Sequence, residues 1–139
     1  MSKTPHIVFV CLHGSAKSVI ADAHFQSLVK ARGWSVRSGS AGTEPDSELP
    51  PHVAAGLRKD GLDLSGLRPQ AAGAATLGEA THVVTFGPDV GAWVPDGCPV
   101  TYWKDVPAVA DGYDRARSEI LRRVTGLVDA LMTNQGAAP

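Results

Sequence analysis

The sequence predicts an α/β domain in which a four-stranded parallel sheet carries helices on both faces, a three-layer sandwich. Three observations predict it. An apolar, β-branched run, His6-Ile7-Val8-Phe9-Val10-Cys11, passes through a loop of small residues into apolar positions at helical spacing. Strand-type and helix-type segments then alternate along the chain, the pattern of parallel crossover units rather than hairpins. Finally, 139 residues fit one domain and are enough to bury most of the surface that the unfolded chain exposes.

The first strand ends on Cys11. Leu12-His13-Gly14-Ser15-Ala16 links it to a helix over 17–32, whose stripe is Ile20, His24, Phe25, Leu28 and Val29 and whose stop is Gly33. Trp34 to Ser38 alternates and reads as the second strand. Gly39 to Asp46, rich in turn formers and too small to fill a core, reads as a loop lying near the first. Pro50 or Pro51 opens a second helix, with Val53, Ala54, Leu57 and Arg58 on helical spacing, which ends near Gly61. A short helix around Ala74 to Leu77 is weakened by Gly73 and Gly78. His82 to Phe86 is a buried strand turned by Gly87-Pro88-Asp89, and Val100 to Trp103 is the fourth. Between them lie too many breakers for a regular element, with Trp93 either capping the core or lining a cavity. The last helix has the most regular stripe: Tyr113, Ala116, Ile120, Val124, Leu127, Val128 and Leu131. Residues 1–133 are expected to form the domain and 134–139 a frayed tail.

Composition narrows the function. The formal charge is −1 and no dense Lys/Arg run occurs, which argues against nucleic acid or an anionic membrane as partner. No apolar run reaches spanning length and the start lacks the pattern of a signal peptide, so a soluble, cytoplasmic protein is expected. Two cysteines far apart do not make a secreted disulfide framework. Neither a zinc spacing nor a calcium loop is present, and no metal is expected. The oligomeric state is left open.

The chemistry concentrates at the first join. A loop entering a helix offers unpaired backbone N–H groups and the positive end of the helix dipole, which together favour an anion. The cradle would be the N–H groups of Leu12, His13, Gly14, Ser15, Ala16, Lys17 and Ser18. The same field favours thiolate over thiol, so Cys11 reads as a nucleophile. Gly14 permits the turn, Lys17 supplies a cation, and the Ser18 hydroxyl is placed to donate to the sulfur. The alternative is an inert cysteine ending a core strand.

Cys11, five residues, Lys17 and Ser18 resemble the phosphate loop of the low-molecular-weight protein tyrosine phosphatases and the related thiol-dependent arsenate reductases. In that family an arginine stands at the position of Lys17; lysine replaces its two-pronged fork by a point charge. Ser40-Ala41-Gly42-Thr43-Glu44-Pro45 and Gly61-Leu62-Asp63-Leu64-Ser65-Gly66-Leu67-Arg68-Pro69 continue the resemblance and favour the reductase branch. The resemblance implies strand order 2-1-3-4, Cys11 as nucleophile, and a small oxyanion (phosphate or arsenate) or a phosphoprotein as partner. It also implies no tightly bound cofactor, with an external thiol donor if the protein is a reductase. Asp105, in Trp103-Lys104-Asp105-Val106-Pro107, is the implied general acid, although a valine separates the Asp and Pro that adjoin in the family; Asp111 is its nearest substitute. Cys98 is a possible redox thiol without a partner, and Pro88 stands where a cysteine is expected. Three functions follow: an arsenate reductase-like enzyme, a phosphatase acting on phosphotyrosine or small phosphate esters, or a catalytically weakened member that binds an anion or a partner.

Overall fold

Paired on both sides, β1 (His6–Cys11) is the strand from which the rest of the sheet is built. In the computed structural model, which describes residues 4–136, it runs parallel to β2 (Arg37–Gly42) and to β3 (His82–Thr85). β4 (Val100–Tyr102) extends the sheet beside β3, giving the order β2-β1-β3-β4 implied by the resemblance. The helices are α1 (Lys17–Ala31), α2 (Pro51–Lys59), α3 (Ala74–Leu77) and α4 (Tyr113–Gly136), with a 3-10 turn at Val109–Asp111 before α4.

The period of two along β1 sorts the core into two layers. Ile7, Phe9 and Cys11 face a large core shared with α1, α2 and α4, whereas Val8 and Val10 face a smaller one with Leu77 and Ala80 around α3. A four-residue helix cannot cover a sheet face. The irregular segment before β4 completes this layer with Val90, Trp93 and Val94, so Trp93 caps the core. The aromatic centre of the large core is Phe9, whose ring lies 5.7 Å from Phe25 and 6.2 Å from Trp103.

The second strand lies later than the alternation of 34–38 predicts. Trp34 and Val36 pack partly buried against the large core, but the ladder itself runs from His6↔Arg37 to Cys11↔Gly42. Residues expected to form a loop, Gly39 to Gly42, are therefore strand. At Gly42 a side chain is excluded, because the backbone of His13 and Gly14 lies against it. The Ser38 hydroxyl donates to Asp22 on α1 at 2.6 Å, and Gly42 exchanges backbone hydrogen bonds of 2.8 Å with Gln70 and Ala72. At the other end of the chain, α4 continues to Gly136, three residues into the predicted tail, while 137–139 lie outside the described residues.

Asp22 gives a prediction for stability. It is 3% exposed, and burial pushes its carboxyl above the ordinary value of 3.8 despite donation from Ser38 and, at 3.1 Å, from Gln26. Ionising it therefore costs more in the folded than in the unfolded chain. The penalty is absent below the unfolded value, grows as pH rises through the folded value, and is fully present at neutral pH. Both donors reach the same oxygen, which an asparagine keeps. Asp22→Asn is expected to raise Tm at pH 7 by roughly 2–5 °C and by almost nothing below pH 4, measured by thermal denaturation at both pH values.

Candidate active site

The site is built at the carboxyl ends of β1 and β3, where ligands bind in open parallel sheets. Cys11 is the last residue of β1, 7% exposed, and its Sγ lies 3.0 Å from Ser18 Oγ in the first turn of α1. Between them the chain turns at Gly14, whose φ of +61° falls in the left-handed region. α1 begins at Lys17 with no side-chain cap and no acidic residue in its first turn. Among the described residues no backbone N–H from Leu12 to Ala16 is paired with another protein group, and the first-turn N–H groups of Lys17 and Ser18 have no intrahelical acceptor. Cys11 and Ser18 are thus brought together, with the predicted cradle residues forming the loop between them.

A second segment is strapped to this loop. Leaving β2, the backbone N–H groups of Thr43, Glu44 and Asp46 donate to the carbonyls of Cys11, Leu12 and His13 at 3.4, 2.7 and 3.0 Å. Those bonds use the loop's acceptors and leave its donors free. The Ser15 hydroxyl, 1% exposed, donates to Asp46 at 2.6 Å, and His13 Nδ1 lies 3.1 Å from the Glu44 carbonyl and 3.7 Å from Asp46 Oδ1.

Above the thiol opens a cleft of about 790 Å³, lined by the loop, by Asp46 and His52 on one side, and by Phe86, Pro88, Asp89 and Val109 on the other. Lys17 lines it too, but its Nζ donates to the Val106 carbonyl at 3.0 Å, tying α1 to the segment after β4.

Three predicted participants are not gathered here. Asp105 lies on the other side of its loop, where Arg123 donates to it at 2.7 Å and holds its carboxyl below the usual range. It lines a separate depression with Arg115 and Arg122. Asp111, in the 3-10 turn, does not line the thiol cleft. Cys98 precedes β4, at the amino ends of the strands, and packs against the smaller core on the face opposite Cys11; burial pushes its thiol up. The sequence reading missed Asp46, His52, Phe86, Asp89 and Val109. The signal available for all five is position, since each lies on a loop or helix start following the carboxyl end of a strand.

No group of three or more His, Cys, Asp or Glu side chains gathers as a metal cage among the described residues. None of the helices described is long and apolar enough to cross a membrane.

The family model described as low molecular weight phosphotyrosine protein phosphatase matches residues 6–90, more than half of the chain, and the chain belongs to that family. A thioredoxin-dependent arsenate reductase of Corynebacterium glutamicum is 27% identical with a TM-score of 0.80, covering 96% of this chain and 64% of that one. This chain thus spans less than two thirds of that reductase. An arsenate reductase from Archaeoglobus fulgidus is 29% identical with a TM-score of 0.69, covering 88% of this chain and 98% of that one. A low molecular weight protein tyrosine phosphatase from Bacillus subtilis shares the fold at 18% identity and a TM-score of 0.75, covering 94% and 99%. Among curated proteins nothing matches the chain.

Proposed function

We propose that the protein is a cysteine-dependent oxyanion enzyme of the arsenate reductase kind, with Cys11 as nucleophile and an external thiol as reductant. The observation that carries the proposal is the placement of Cys11 Sγ, 3.0 Å from Ser18 Oγ, at the centre of a loop whose N–H groups remain free to donate. Likeness to two arsenate reductases at 27% and 29% identity favours the reductase branch.

The proposed reaction runs through two displacements. The Cys11 thiolate attacks arsenic, an S–As bond forms, and an As–O bond breaks with its electron pair going to the oxygen, which takes up a proton and leaves as water. Donors from residues 12–18 meet the negative oxygens that remain. A second thiol then attacks Cys11 Sγ; the S–As electron pair stays with arsenic, arsenite departs, and Cys11 is left in a mixed disulfide that a further external thiol reduces. Cys98 is at the far end of the sheet, so the second thiol comes from outside the chain.

One observation favours phosphatase activity as a second reading. The cleft is far larger than an oxyanion and has apolar walls in Leu12, Pro50, Phe86, Pro88 and Val109, which would suit the organic group of a phosphate ester. Assays of both reactions separate the readings. Arsenite release from arsenate that depends on added dithiol, without hydrolysis of aryl phosphates, is the expected result. Aryl phosphate turnover alone would move the assignment to phosphatase, and neither activity would leave an anion- or partner-binding protein.

A further inference from the structure

Turning Asp105 outward leaves the departing oxygen without the expected proton source, and the cleft offers four titratable side chains besides Cys11 and Lys17: His13, Asp46, His52 and Asp89. Two of these have a carboxylate oxygen already engaged, Asp46 by the Ser15 hydroxyl at 2.6 Å and Asp89 by the Gly91 N–H at 3.0 Å. His13 differs in being part of the anion loop and in being oriented. Its Nδ1 lies 3.1 Å from the Glu44 carbonyl, which can only accept, so Nδ1 carries the hydrogen of that bond. The Asp46 carboxylate stands 3.7 Å from the same nitrogen. The tautomer is therefore fixed and Nε2 is left as the nitrogen that gains and loses a proton, the arrangement by which an imidazole is prepared for acid–base work.

Resting on the oxyanion-enzyme reading above, we infer that His13 is the catalytic acid of this protein, delivering a proton from Nε2 to the oxygen that leaves as Cys11 Sγ bonds to the central atom. The Nε2–H bond breaks as the O–H bond forms, and the electron pair of the broken bond to arsenic or phosphorus ends on that oxygen. It departs as water from arsenate, or as an alcohol or phenol from an ester. His13 is neutral afterwards and recovers its proton from solvent, with which its side chain, 54% exposed, is in contact. Its exposure to the cleft also explains how a chain with valine between Asp105 and Pro107 retains a donor. The charged and titratable groups that share the cleft with His13 are Asp46 from the segment after β2, Lys17 from α1, His52 from α2 and Asp89 after β3, while Glu44 meets it through its backbone carbonyl.

The test is His13→Gln, which keeps a donor toward the Glu44 carbonyl and removes the titrating nitrogen. With arsenate and dithiothreitol, and with phenyl and 2,4-dinitrophenyl phosphate, kcat/KM is measured across pH 5–9, together with phosphate binding by calorimetry. The expected result is a loss of about 100-fold for arsenate or phenyl phosphate, whose leaving oxygens need a proton, and disappearance of the alkaline fall in rate. Any 2,4-dinitrophenyl phosphate turnover changes by less than about fivefold, because that phenolate leaves unaided, and phosphate affinity stays within threefold. Wild-type turnover that His13→Gln matches within threefold at every pH would overturn the assignment alone. A wild-type protein inert toward all three substrates would overturn the enzymatic reading and this assignment with it. Weakened phosphate binding in parallel with the rate would overturn it in favour of a purely structural role for His13.

Discussion

Cys11→Ser is expected to give a folded protein that binds phosphate and turns over no oxyanion substrate, with a fall in rate on the order of 10⁴-fold or more. The substitution changes one atom at a position 7% exposed, so the strand end and the loop are preserved. What disappears is the nucleophile. A hydroxyl does not ionise in this range, and the Ser18 hydroxyl, 3.0 Å from the sulfur, cannot make it do so. Phosphate binding is expected to survive because, on the proposed reading, it rests on the backbone donors of residues 12–18, which the side chain does not supply. Calorimetry with phosphate and the activity assays above check the two halves separately. In the wild type, iodoacetamide at pH 6 is expected to modify Cys11 well before Cys98, whose thiol burial pushes up, and phosphate is expected to slow only the first. Residual turnover in Cys11→Ser near the wild-type level would remove Cys11 from the chemistry.

The parts of the fold that the residues disclosed are those fixed by neighbours in sequence. The strand, loop and helix from His6 to Ala31 are contiguous, and Cys11 and Ser18 meet because a single turn at Gly14 brings them together. β3 and α4 are likewise legible in their own periodicity. β2 was not, because its small residues answer to partners far away: Ser38 to Asp22, and Gly42 to the loop at Gly14 and to Gln70 and Ala72. Propensity taken alone reads Gly39 to Gly42 as a turn, and pairing along the whole length of β1 overrides it.

The segment after β4 shows the same division between local and distant causes. Val106 is 5% exposed in the large core, and Trp103, edge-to-face with Phe86 at 5.7 Å, anchors the segment on the other side. Burying Val106 decides which way its neighbours turn. Asp105 faces Arg123 on α4, and the carbonyl of Val106 faces Lys17. Lys17 is thereby a tie between α1 and this loop. Neither contact can be read from the spacing of residues 103–107. The role of Asp46 was hidden for a similar reason: only after Thr43, Glu44 and Asp46 are laid along the carbonyls of residues 11–13 does its carboxylate reach Ser15.

That backbone-to-backbone contact carries the second large effect. Gly14 and Gly42 approach so closely that a Cβ on Gly42 would lie 2.4 Å from the Gly14 nitrogen and 2.6 Å from the His13 carbonyl carbon. These are main-chain atoms of the loop after β1, with no rotamer by which to move aside. Gly42→Ala is therefore expected to push the loop off its position, lowering stability by about 2–3 kcal/mol and abolishing measurable phosphate binding. Gly14→Ala meets the same wall, 2.7 Å from the Gly42 nitrogen, and adds the strain of a φ of +61°, a further cost of about 1 kcal/mol. Gly39, in the same strand, is the control: its Cβ would meet nothing within 4 Å, and alanine there is expected to stay within about 0.5 kcal/mol of wild type with activity intact. Urea unfolding midpoints and phosphate calorimetry on the three variants measure this directly. Wild-type phosphate affinity in Gly42→Ala would show that the cradle does not depend on the close approach, and equal losses in Gly39→Ala would place the cause in the strand rather than in the contact.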